Sequence, residues 1–256
     1  MKSLDFMIVG VQKGGTTALS YFLAQHSQLA IAEGKEVHLF DAADYSPQWS
    51  PEEINERYSA HFVNASAQQL WGEATPIYCY WPEIAAELQR YNPTLKLIVI
   101  LRDPVERAIS QYAMEKARGD ESLPLWLAIL LEPYRLWRDP SRNAGGARRC
   151  HSYCSRGHYS AQLQNLRRYF PDEQILVLEN SELNLQHQET LKTICRFLGV
   201  TTDQLPEPAS IFSGDYDRRL HRWLRFLLGC YFRFTNRRLK TQLIAMGYSP
   251  QWPWLR

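Results

Sequence analysis

Phe6-Met7-Ile8-Val9-Gly10-Val11-Gln12-Lys13-Gly14-Gly15-Thr16-Thr17-Ala18-Leu19 is the stretch whose reading decides the fold. Its opening apolar run reads as a buried strand. A glycine-rich turn follows, and then Leu19, Phe22 and Leu23 recur at helical spacing. Strand, glycine turn and helix in that order aim backbone N–H groups at one place, where a phosphate can sit. Gly10, Gly14 and Gly15 let the backbone approach that anion closely. Thr16 and Thr17 bring hydroxyls to the start of the helix, and Lys13 brings a point charge. A tight turn with a solvated lysine is the plainer alternative, but turn chemistry does not ask for Gly-Gly-Thr-Thr after a buried strand.

The interval from Gly10 to Gly15 is that of a nucleotide-triphosphatase loop, G-x-x-x-x-G. The next residue is Thr16, however, where such a loop carries its lysine. Here the lysine lies three positions earlier than Thr16, inside the loop. The turn therefore suits a phosphate, without the usual apparatus for β- and γ-phosphates with magnesium.

Working outward, Leu95–Leu101 is a second strong strand and Gln174–Glu179 a third. Their continuous Leu/Ile/Val runs suit parallel strands covered on both faces. Leu29–Ala32 and Leu70–Pro76 read as shorter strands. Helical segments are expected after Pro51, over Trp81–Tyr91, from Pro104 to about Arg118, over Leu123–Trp137, Tyr159–Tyr169 and Leu191–Leu198, the last closed by Gly199. Strands alternating with helices predict α/β architecture: a single domain over residues 1–256, with a mostly parallel central sheet flanked by helices. In such sheets ligands bind at the carboxyl ends of the strands, which is where the turns at Gly10, Glu73 and Arg102 fall.

Composition narrows the function classes. The 256 residues are 45% apolar and 22% charged, enough for a packed core. The net charge of +2 argues against a general nucleic-acid binder. Five cysteines form no C-x-x-C pair, so free thiols in a reducing, cytoplasmic setting are expected. The closeness of Cys150, His151, Cys154 and His158 lacks the second ligand pair of a structural zinc site. No secretory signal and no apolar run long enough to span a membrane is visible.

Two further constellations carry chemistry. Arg102 ends the second strong strand and Ser110 lies eight residues on, about two turns into the next helix. A guanidinium and a hydroxyl so spaced suit a second phosphate; local carbonyl capping by Arg102 is the alternative. Lys35-Glu36 follows the first helix. It is either a solvated pair, or Glu36 faces the transferred group as a general base.

Together these residues resemble the sulfotransferases that use 3′-phosphoadenosine 5′-phosphosulfate (PAPS). Val9–Leu19 looks like their 5′-phosphosulfate loop, and Ile100–Tyr112 like their 3′-phosphate segment. Lys35-Glu36 followed by Phe40 is similar to the catalytic segment of the heparan sulfate N- and O-sulfotransferase branch. Gly72-Glu73-Ala74-Thr75-Pro76, Arg156-Gly157-His158-Tyr159 and Phe170–Leu178 are also similar. The resemblance runs from about residue 5 to 200. It implies a fold like that of P-loop nucleotide triphosphatases and PAPS as co-substrate, with no metal. Lys13 and the N–H groups of Gly14, Gly15, Thr16 and Thr17 would hold the 5′-phosphate, and Arg102 and Ser110 the 3′-phosphate. Glu36 would take a proton from an acceptor hydroxyl or amine. Lys35, His38, Glu73, Tyr159 and Arg218 are the further candidates around substrate and loop.

There are two departures. Ala74 stands where glycosaminoglycan-acting members usually have lysine, and their later Lys/Gly-rich loop has no clear match, with Arg218 or Arg219 as candidate replacements. The acceptor stays open among sugar, lipid and other metabolites, as does the oligomeric state. A P-loop small-molecule kinase with Asp103 on magnesium, and a nucleotide-binding module without catalysis, are the competing functions.

From Arg218 to Lys240 there are eight Lys/Arg and no Asp/Glu, interleaved with aromatics. Three readings stay open: a helix pair with solvated arginines, a basic amphipathic surface for peripheral membrane contact, and a groove for an anionic acceptor.

Overall fold

The computed structural model describes residues 2–34, 36–141, 143, 145–209 and 222–255. In chain order the first half holds β1 (Phe6–Gly10), α1 (Thr16–Leu23), β2 (Leu29–Ile31), α2 (Pro51–Ser59), β3 (Leu70–Ala74), α3 (Ile84–Tyr91), β4 (Lys96–Leu101) and α4 (Pro104–Arg118). Then come α5 (Leu125–Arg138), α6 (Ala147–Cys150), α7 (Tyr159–Leu166), β5 (Ile175–Glu179), α8 (Asn180–Leu185), α9 (His187–Leu198) and α10 (Arg222–Ala245). The chain divides into two compact units, Met1–Arg102 with Asn165–Phe212, and Asp103–Gln164 with Ser213–Arg256.

The first unit holds the sheet. Its five strands run parallel in the order β2-β3-β1-β4-β5, so the strand that opens the chain is central. β1 and β5 are buried at every residue, which is why they read as unbroken apolar runs. The twofold alternation of strands sorts their side chains. Phe6 and Ile8 of β1, Ile98 and Ile100 of β4, and Leu176 and Leu178 of β5 share one core with Leu19, Phe22 and Leu23 of α1 and Leu191, Ile194 and Leu198 of α9. Phe40 packs with Tyr58 of α2, Tyr91 of α3 and Tyr78 in an aromatic cluster. The α2 start follows sequence rules: Ser50 caps it, Glu53 closes a capping box, and Pro51 occupies the first turn. α9 ends where Gly199 takes a left-handed conformation. The architecture is α/β with a parallel sheet flanked by helices, as the sequence predicts.

The second unit is helical. α4 starts at Pro104 with Asp103 as its cap and ends at left-handed Gly119. Val105, Ile109, Leu125, Leu224, Leu228 and Phe232 form its core. Two buried charged groups tie the unit together: Glu132 accepts the backbone N–H groups of Cys154 and Ser155 at 2.6 and 2.7 Å, and Arg107 donates to Gln111 and to the Tyr153 carbonyl. The expected C-terminal helix pair is, among the described residues, the single 24-residue helix α10. None of the described helices is long and apolar enough to cross a membrane. No disulfide joins the cysteines.

Candidate active site

The glycine turn lies at the carboxyl end of the central strand. Gly15 caps α1 with its backbone, φ +102°, and no side chain caps that end. The helix-start hydrogen bond runs from Leu19 N–H to the Gly15 carbonyl, so the N–H groups of Thr16, Thr17 and Ala18 precede the first helical partner. They point out of the helix, with the positive end of its dipole behind them. The turn is braced from three sides. Val11 N–H donates to the Ile100 carbonyl, Arg102 Nη1 donates to the Lys13 carbonyl at 3.1 Å, and Asn180 Nδ2 donates to the Gly14 carbonyl at 2.9 Å. A Cβ on Gly14 would run into the Ile100 carbonyl, and one on Gly15 into the Asn180 amide. Gly14 is therefore required by close approach, and Gly15 by close approach and by φ. One detail differs from the sequence expectation: the Gly14 N–H is donated to the Val11 carbonyl at 2.8 Å. Gly14 contributes room, and the outward donors begin after it. A braced turn with Lys13 and outward N–H groups fits a phosphate.

The second half of the site is an acid–histidine cluster at the carboxyl end of β3, the strand beside β1. His38 Nε2 lies 3.4 Å from Glu36 Oε2, and its Nδ1 lies 2.9 Å from Asp41 Oδ1. The Asp41 carboxylate has no solvent exposure. The segment is tied to the sheet by its backbone: His38 N–H donates to Thr75 Oγ1, and that hydroxyl donates to Glu73 Oε2 at 2.9 Å. Glu73 is fully buried, and its Oε1 has no hydrogen-bond partner among the described residues. Burial pushes the Glu73 carboxyl up to about 8. The neighbouring Asp41 and Glu36 carboxylates add to the rise, while the Thr75 hydroxyl and His38 work against it. At neutral pH Glu73 is thus mostly a neutral acid beside two carboxylates. Four described non-glycine residues have positive φ, and three of them are Lys13, Glu36 and His38. Such conformations cost free energy and collect at functional sites.

The family described as "Sulfotransferase domain" matches residues 3–212. The chain belongs to this family. A mouse relative, heparan sulfate glucosamine 3-O-sulfotransferase 6, is 33% identical over 202 residues, 77% of this chain and 54% of the relative. The human bifunctional heparan sulfate N-deacetylase/N-sulfotransferase 2 is 28% identical over 207 residues, 77% of this chain and 22% of the relative. Among solved structures, a sulfotransferase from Alicyclobacillus acidocaldarius superposes with a TM-score of 0.81 at 25% identity, covering 100% of both chains. The chain spans about a quarter to half the length of the curated relatives it matches.

Within this sulfotransferase domain the sequence candidates fall as follows. Lys13, Gly14, Gly15, Thr16, Thr17 and Arg102 gather at the β1 turn, and Glu36, His38 and Glu73 at the end of β3. Ser110 is buried on α4 in the second unit. Tyr159 opens α7, buried edge-on against Trp254. Lys35 and Arg218 lie outside the described residues. Sequence reasoning missed Asp41 and Asn180. Asp41 carries a local signal, a carboxylate three residues after His38 and five after Glu36 in one loop. Asn180 carries none, because its partner at Gly14 is 166 residues away.

Proposed function

We propose that this protein transfers a sulfuryl group from PAPS to a hydroxyl or amine of a sugar, lipid or other metabolite. The observation that carries the reading is the pairing of two neighbouring strand ends. The β1 end presents an anion turn, and the adjacent β3 end anchors a strained Glu36–His38–Asp41 segment. PAPS supplies the sulfuryl group and leaves as adenosine 3′,5′-bisphosphate. Lys13 and the N–H groups at the start of α1 hold the 5′-phosphate and stabilise the negative charge that grows on its departing oxygen. Arg102 and Ser110 are both carried over to the 3′-phosphate from the sequence resemblance. Glu36 removes the acceptor proton, and Asp41 fixes His38 against it. The sulfuryl group carries less charge than a terminal phosphoryl group, so fixed donors serve without a metal.

Thermal melting in the presence of a chelator tests the binding half. Adenosine 3′,5′-bisphosphate at about a hundred times its Kd should stabilise the chain by about 2.7 kcal/mol. Labelled PAPS and a cell extract, read by mass spectrometry for a sulfate-sized gain, test the transfer half. Glu36→Gln should lower turnover by about a hundredfold or more and leave nucleotide stabilisation intact. Stabilisation by ATP with magnesium, and none by the bisphosphate, would overturn the reading in favour of a kinase.

A further inference from the structure

The second unit turns an unusual amount of apolar surface outward. α5 buries Leu125, Ala128 and Glu132, and exposes Trp126, Leu130, Tyr134 and Trp137. The exposed four are spaced four, four and three residues apart, one stripe along the helix. α10 buries Leu224, Leu228, Phe232, Leu239 and Leu243, while Trp223, Phe226, Leu227 and Phe234 are 53–72% exposed. At about 100° per residue these four cover an arc of roughly 100°, on the side opposite the buried stripe. The two helices meet in one core cluster, through Leu125 and Ile129 on α5 and Leu224 and Leu228 on α10. Single exposed apolar residues are ordinary; eight large ones on two helices that share a core cluster mark an interaction surface.

The charges select the partner. The exposed charged side chains of α5 and α10 are Arg138, Arg222, Arg233, Arg237 and Arg238. α10 has no acidic residue, and the one acid of α5, Glu132, is buried under the chain. Arg225 is used internally, paired with Glu106. The whole chain carries a net charge of only +2, so this positive, aromatic face is a local concentration.

We infer that the outward face of α5 and α10 docks on an anionic lipid surface. α10 lies in the plane of the headgroups, since it is not apolar enough to cross. The Trp and Tyr rings sit at headgroup depth, and the arginines extend to the lipid phosphates. A second copy of the chain fits less well. A two-fold contact sets the same patch on both subunits, and these arginines would then meet one another with no exposed acid on either helix.

Co-sedimentation of the full chain with vesicles of phosphatidylcholine, with and without about one-third phosphatidylglycerol, tests this. Binding should favour the anionic vesicles and weaken at high salt. Combined Arg233→Gln, Arg237→Gln and Arg238→Gln should weaken it about a hundredfold, roughly fivefold per arginine, with the melting temperature retained. Trp223→Ser with Phe226→Ser should weaken it about tenfold or more. In the unaltered chain, brominated lipid should quench tryptophan fluorescence, a readout that needs no variant. No vesicle binding, or binding indifferent to the arginines, overturns the inference. So does a doubled mass in light scattering that the Trp223→Ser/Phe226→Ser variant abolishes while vesicles bind neither form, which assigns the face to a second copy.

Discussion

Replacing Glu73 by glutamine isolates one electrostatic feature of the site. The folded carboxyl is held at about 8, against 4.5 for an ordinary glutamate, chiefly by burial. Between those values the folded chain keeps a proton that the unfolded chain has released. The sign follows: the contribution to stability is complete below the unfolded value and is lost as pH rises through the folded one. Each pH unit inside the window costs about 1.4 kcal/mol, so from about pH 5.5 to about pH 7.5 the unaltered protein loses about 2.7 kcal/mol through this group. Glu73→Gln has no proton to lose, and its amide oxygen still accepts from the Thr75 hydroxyl. For a chain of this size 1 kcal/mol moves the melting temperature by about 2–4 °C, so the variant should gain about 5–10 °C on the parent across that range. Paired melts over a pH series measure the difference, in which the other titrating groups cancel. A difference that stays flat with pH would refute the claim that Glu73 is buried as the neutral acid.

Three other substitutions probe separate parts of the structure. Gly15→Ala forces a side chain into a left-handed position and against Asn180; a loss of about 1–3 kcal/mol in urea unfolding and weaker adenosine 3′,5′-bisphosphate binding are expected. Asp41→Asn removes the charge behind His38, and steady-state transfer assays should show kcat lower by about tenfold or more with nucleotide stabilisation unchanged. Glu132→Ala leaves the N–H groups of Cys154 and Ser155 without their acceptor; thermal melting should register a loss of about 2 kcal/mol or more while bisphosphate binding persists.

What was readable in advance was short in range or written in pattern. β1, its glycine turn and α1 fall within eighteen consecutive residues, Phe6 to Leu23, so the sequence holds the whole motif in one window. β4 and β5 announce themselves because burial on both faces demands unbroken apolar runs. The start of α4 follows from Asp103-Pro104 and its end from Gly119. Side-chain contacts across the sheet had no such signature. Asn180 looks like any polar residue after a strand until the fold sets its amide on Gly14, and Gly14 looks like a donor until its N–H is found on Val11. A sequence counts hydrogen-bonding groups but does not say where they are used. α10 failed for a different reason. With apolar residues on its buried face and again on its outward face, its 3.6-residue period is blurred, and no reading of the pattern could say which side the protein covers. The same ambiguity is physically informative: a helix needs one apolar stripe to pack and has a second only if something else is to meet it.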